Sequence, residues 1–229
     1  ALGATWNPSL IEKLGQALAI ETRARACHVL LAPTANIHRT PLGGRNFECY
    51  SEDPYLTGRI AVSFIKGVQS EKVGTTIKHF VANDSEFERH SIDSQVPERA
   101  LREIYLRPFE MAVKEAEPWG IMGSYNRVNG TYACENPRLL TEILREEWGF
   151  TGIVVTDWYA AKTTIEMAQA GLDLEMPGPG RFYGSRLVEA VQKGEVSEEI
   201  INEAVKRLLL LLERTNAFNE PLNRDEQML

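Results

Sequence analysis

Gly149-Phe150-Thr151-Gly152-Ile153-Val154-Val155-Thr156-Asp157-Trp158 decides how this chain is read. A helical run ends at Gly149, and Ile153, Val154 and Val155 then form a wholly apolar β-branched segment. That pattern predicts a strand buried on both faces, as in a parallel sheet. Asp157 follows at its carboxyl end, where α/β folds carry their chemistry, and Trp158 adds an apolar stacking face. The plainer alternative is that Asp157 caps the next helix.

Working outward, short apolar segments at 29–31, 75–77, 120–122 and 172–176 join 153–155 as predicted strands. Helical periodicity separates them. Asn7-Pro8 and Asp53-Pro54 open two of these helices, each an N-cap followed by proline at the first position. A third begins after Pro97, with a kink expected at Pro108. Alternation of strand and helix predicts an α/β fold with a parallel sheet and right-handed crossovers. The loops after strands are longer and more polar than those before them, as on the working face of a (β/α) TIM-type barrel. Five strands do not close a barrel of about eight, so a partial barrel is expected, with strands missing before Ala1. Residues 1–218 read as a single domain, and 219–229 as a polar tail or the start of a linker. The chain opens at Ala1 and enters a helix almost at once, so a processed or trimmed product is expected.

Of the 229 residues, 43% are hydrophobic and 25% charged, enough for a proper core and ordinary for a soluble protein. A net charge of −7 argues against nucleic-acid and membrane partners. Cys27, Cys49 and Cys134 are far apart, without zinc-type spacing or a disulfide framework. With no signal-peptide pattern, this favours a cytoplasmic protein. No metal-ligand spacing or phosphate-cradling glycine loop is present, and no cofactor is expected.

Four strand ends carry unusual polar groups: Arg45 in the first long loop, Lys78-His79, Met122 with Tyr125, and Asp157-Trp158. Each has a bland explanation. Arg45 ties down its loop through Glu48 or Asp53, Lys78 is solvated, His79 is structural, Met122 is core, and Tyr125 satisfies a buried backbone group. Together they converge, because a barrel aims its strand ends into one mouth. One carboxylate ringed by Arg, Lys, His, Tyr and Trp suits a sugar, whose hydroxyls take charged hydrogen bonds and whose ring takes an aromatic platform. The cations would also keep Asp157 ionised, as a nucleophile requires.

The segments 43–54, 78–80, 124–130 and 152–158 resemble glycoside hydrolase family 3, in its β-glucosidase branch, over nearly the whole chain and in the family's order. The resemblance implies a retaining glycosidase releasing terminal β-D-glucose from a β-glucoside or short β-linked oligosaccharide through a covalent glycosyl-aspartate. Asp157 is then the nucleophile. Arg45, Lys78 and His79 bind sugar hydroxyls, Tyr125 stands near the nucleophile, and Met122 and Trp158 line the glucose subsite. In this branch the acid/base glutamate sits in a following α/β sandwich domain, and an upstream aspartate binds the far side of glucose. This chain holds neither, so a sugar-binding barrel without efficient turnover is the alternative, with a β-xylosidase or related glycosidase a further one. The family's N-acetylglucosaminidase branch carries a histidine and aspartate on the loop after Lys-His; here that loop, Val81 to Val96, has His90 and Asp93 but not that branch's Gly-rich pattern. His90 therefore reads as surface. Asp84, Glu86 and Glu88 lie on that loop, with Glu86 the first in-chain candidate for the acid and otherwise a partner for Lys78 or Arg89. Asp173 and Glu175 share one strand face and are expected to pair with Arg181 or Arg186.

Overall fold

The computed structural model describes residues 1–219, so the predicted tail, Asn219 apart, lies outside the described residues. In chain order the main elements are α1 (Pro8–Ala24), β1 (Val29–Leu30), α2 (Pro54–Ser70), β2 (Gly74–Phe80), β3 (Asp93–Ser94) and α3 (Glu98–Ala100). There follow α4 (Arg107–Ala116), β4 (Gly120–Gly123), β5 (Arg127–Val128), β6 (Thr131–Tyr132), β7 (Ile153–Thr156), α5 (Ile165–Ala170), α6 (Ser185–Gln192) and α7 (Glu198–Arg214). Two helical segments, Leu101–Tyr105 and Arg138–Glu147, take the wider π-helical turn.

The central sheet is parallel, with order β1-β2-β4-β7. Its strands are the predicted ones, and their apolar β-branched residues are buried on both faces: Ile77, Ile121 and Val154 pack with the helices, and Met122, Ile153 and Val155 on the other side. The predicted strand at 172–176 does not form. Leu174 makes one isolated bridge to Val155, while Asp173 and Glu175 turn their carboxylates to the partners described below. The sheet is open, and no closed barrel is seen among the described residues. A small second sheet, β3-β5-β6, is built from the loops that follow β2 and β4.

Asn7 and Asp53 cap α1 and α2 as their Asn-Pro and Asp-Pro pairs predict. The two helices pack closely because glycines face each other. A Cβ on Gly67 would lie 2.0 Å from the Glu12 carbonyl oxygen, and one on Gly15 would lie 2.7 Å from that of Phe64. The contact buries Ile11 and Ala19 and leaves Leu10 on the outside. The kink expected at Pro108 is a π-helical turn ending just before it, where a proline without an N–H cannot continue the preceding ladder.

Candidate active site

Asp157 follows β7 directly. Its N–H continues the ladder to the Gly123 carbonyl at 3.0 Å, and its own carbonyl accepts from Ala160 N–H at 3.0 Å. The carboxylate is divided in its bonding. Oδ1 accepts the Trp158 N–H at 2.7 Å, while Oδ2 is buried and has no hydrogen-bond partner. A buried acceptor without a donor is unfavourable by about 1–3 kcal/mol, and such atoms concentrate where chemistry occurs. The alternative of a helix cap fails, since α5 begins only at Ile165 with Thr164 before it.

Lys78 and His79 both act on Asp157, although neighbours along a regular strand point to opposite faces. The register explains this. Lys78 pairs with Met122 and Phe80 with Gly123, so His79 is an extra residue against β4 and the alternation breaks there. His79 Nε2 stands 3.5 Å from Asp157 Oδ2. Burial, then the charges of Arg45, Lys78 and Arg89, hold the His79 pKa well below the ordinary imidazole value, so the ring is neutral. Burial also lowers the Lys78 pKa, with Glu48 and Asp157 opposing.

Arg45 is bonded to Glu48, the first of its two expected partners; Asp53 is engaged in capping α2. Glu48 also accepts the Thr34 hydroxyl at 2.7 Å. Burial opposes the Arg45 charge, but Glu48, Glu86 and Asp157 outweigh it and raise its pKa. Tyr125 is pushed up to about 12, by burial, then by the charge of Asp157 and the approach of its hydroxyl to that carboxylate, so it remains a phenol. Trp158 is 38% exposed, available as a face at the mouth. Met122 is different: it is buried in the apolar cluster with Ile153 and Val155, level with Lys78 in the sheet, and makes no polar contact with the group.

Arg89 and Asn36 went unrecognised in the sequence. The Arg89 guanidinium lies 5.0 Å over the Tyr125 ring and bonds Glu86 at 2.9 Å. Asn36 is buried against His79 and makes three contacts with it. His90 is exposed, as expected, yet its ring stands 4.2 Å from that of Tyr125. The other acidic expectations are corrected. Asp173 pairs with Arg145 and Arg207, and Glu175 accepts the backbone N–H groups of Arg181, Phe182 and Tyr183. Neither uses the Arg181 or Arg186 side chain, because the nearest cations in sequence are not the nearest in space. Among the described residues, no group of three or more His, Cys, Asp or Glu is placed to hold a metal ion, and no helix is long and apolar enough to cross a membrane.

The site is therefore an open parallel sheet with a half-satisfied carboxylate and several cations at its strand ends. Residues 1–211 match the family model of the glycosyl hydrolase family 3 N-terminal domain, and the chain belongs to this family. It is 57% identical, over its full length, to a β-glucosidase of Rhizobium radiobacter, and covers 28% of that protein. The solved structure of β-glucosidase 3B from Thermotoga neapolitana in complex with glucose matches 95% of the chain at 49% identity and a TM-score of 0.91. The Bifidobacterium adolescentis family 3 β-glucosidase matches all of it at 42% identity and a TM-score of 0.93. The chain covers 32% and 33% of those two structures.

Proposed function

We propose that this chain carries the glucose-binding mouth and the nucleophile of a retaining β-glucosidase. The observation that carries the reading is the Asp157 carboxylate, anchored through Oδ1 and bare at Oδ2, within reach of the charges of Arg45 and Lys78. Oδ2 attacks the anomeric carbon of a terminal β-glucosyl unit. The bond to the leaving oxygen breaks, and that oxygen takes a proton from a second carboxyl group. Water, deprotonated by the same group, then releases glucose and restores Asp157. Arg45, Lys78, His79 and Arg89 hold the hydroxyls, and Trp158 stacks on the sugar. The glucose complex of the Thermotoga neapolitana relative supports this choice of ligand.

A retaining pair stands about 5–5.5 Å apart. Glu86, the first in-chain candidate for the second member, is tied to Arg89 at 2.9 Å. Asp84 is pushed up to about 6 by burial, but it faces the Ile37 N–H and Arg39. Neither is arranged to donate to a leaving oxygen over Asp157. The family resemblance implies an acid/base supplied by a following α/β sandwich domain. Proton donation contributes about 10²–10⁴-fold, so the chain by itself should react with an activated aryl glucoside and hardly with cellobiose. The test is incubation with an activated 2-fluoro glucoside followed by peptide mapping. A covalent sugar on Asp157 is the expected result; a label on another residue, or none, overturns the reading.

A further inference from the structure

Asn36 lies in the loop after β1 and His79 near the end of β2, 43 residues apart, and both are buried. The Asn36 amide grips the His79 backbone at two points: Nδ2 donates to the His79 carbonyl at 3.0 Å, and Oδ1 accepts the His79 N–H at 2.9 Å. These bonds fix the orientation of the amide. Turned over, it would set an NH2 against an N–H and one carbonyl against another. The same Oδ1 lies 3.0 Å from the ring Nδ1 of His79. An amide oxygen only accepts, so the ring proton belongs on Nδ1.

A neutral ring with its proton on Nδ1 has a bare Nε2, and that atom is the one facing Asp157 Oδ2 at 3.5 Å. Two acceptors then face each other, so the ring gives Oδ2 no hydrogen bond. We propose that Asn36 is a positioning residue: it assigns the tautomer of His79 and so keeps a hydrogen-bond donor away from the attacking oxygen of Asp157. This rests on the reading of Asp157 as nucleophile. With the proton on Nε2, His79 would donate to Oδ2 and blunt its lone pair. With Nε2 bare, His79 accepts a hydrogen bond from a substrate hydroxyl instead. The charged and titratable groups that face the ring are Arg45, Lys78, Arg89 and Asp157.

The test is ¹⁵N spectroscopy of the chain labelled at histidine, with His79 assigned through the signal lost in His79→Gln. At about pH 7 the wild-type ring should show a protonated Nδ1 and a bare Nε2. Asn36→Asp keeps the two acceptor contacts but adds a negative charge, and should bring a second proton onto the ring. Asn36→Ala should give mixed tautomers. In both variants the rate of Asp157 labelling at saturating 2-fluoro glucoside should fall by about 10–100-fold, the typical effect of losing an outer-shell partner, while half-saturation moves less. An Nε2–H or doubly protonated ring in the wild type overturns the proposal without recourse to a variant. So does an Asn36→Ala chain that keeps the Nδ1–H pattern. A wild-type chain with the expected pattern but no label on Asp157 overturns the nucleophile and leaves the tautomer standing.

Discussion

Asp157 and Asp173 are two buried carboxylates beside the same strand, and they differ in how far their oxygens are satisfied. Asp173 Oδ1 accepts from Nε and Nη2 of Arg207, each at 2.9 Å, and Oδ2 accepts from Arg145 and from the Val154 N–H, both at 2.8 Å. Its side chain is completely buried. Asp157 has one N–H on one oxygen, nothing on the other, and cations that surround it without saturating it. The same functional group is fully satisfied in one setting and left with an unpartnered oxygen in the other, and only the second suits the nucleophile proposed above.

The sharpest way to break this contrast is to remove each charge in turn. Asp157→Asn should abolish covalent labelling, with a loss on the order of 10⁴-fold or more as for other nucleophile deletions, and leave the melting temperature nearly unchanged. Equal labelling of the variant would return Asp157 to a structural role. Asp173→Asn should do the reverse. It leaves Arg145 and Arg207 without their anion and should destabilise by about 3–5 kcal/mol in urea unfolding. Glucose affinity should be unaltered at temperatures where the variant is folded, and a selective loss of affinity would erase the distinction.

Lys78→Ala should weaken an imino-sugar inhibitor by about 10–100-fold, the equivalent of losing one charged hydrogen bond, with little change in melting. Loss of stability at constant affinity would assign Lys78 to the fold. The smallest effect is expected at Asp84, which is intermediate between the two aspartates: partly buried, with the Ile37 N–H as its hydrogen bond and its pKa pushed up to about 6. Between its ordinary value of 3.8 and about 6, the native state binds more protons than the unfolded chain. Its contribution to stability therefore falls as pH rises through that window. Asp84→Asn should flatten the slope in urea titrations across it.

Much of the sheet was legible because a short β-branched run bounded by glycine or polar residues has few other uses. The strands β2, β4 and β7 are of that kind. Position 172–176 satisfied the same pattern and failed, because alternating carboxylates can be held by distant arginines and loop amides as readily as exposed along a strand edge. Lys78, His79, Tyr125 and Asp157 were legible as a cluster through their strand ends. Asn36 was hidden by its setting: an asparagine in a proline-rich loop looks like a turn residue, and its partner is 43 positions away. Arg89 was hidden for the same reason, since nothing local marks an arginine that crosses to Tyr125.

Glu175 carries a consequence for how a ligand arrives. By collecting three successive N–H groups it holds the 181–183 segment, from which the Arg181 guanidinium covers the Tyr159 ring at 4.4 Å, next to Trp158. Tyr159 is also tied by its own N–H to the Met176 carbonyl at 3.0 Å. The segment beside Trp158 is thus tied down by contacts within the chain itself. Capture should therefore proceed in a single kinetic phase, without a slower closing step on this side, and with no entropy of loop ordering set against the contacts the sugar makes.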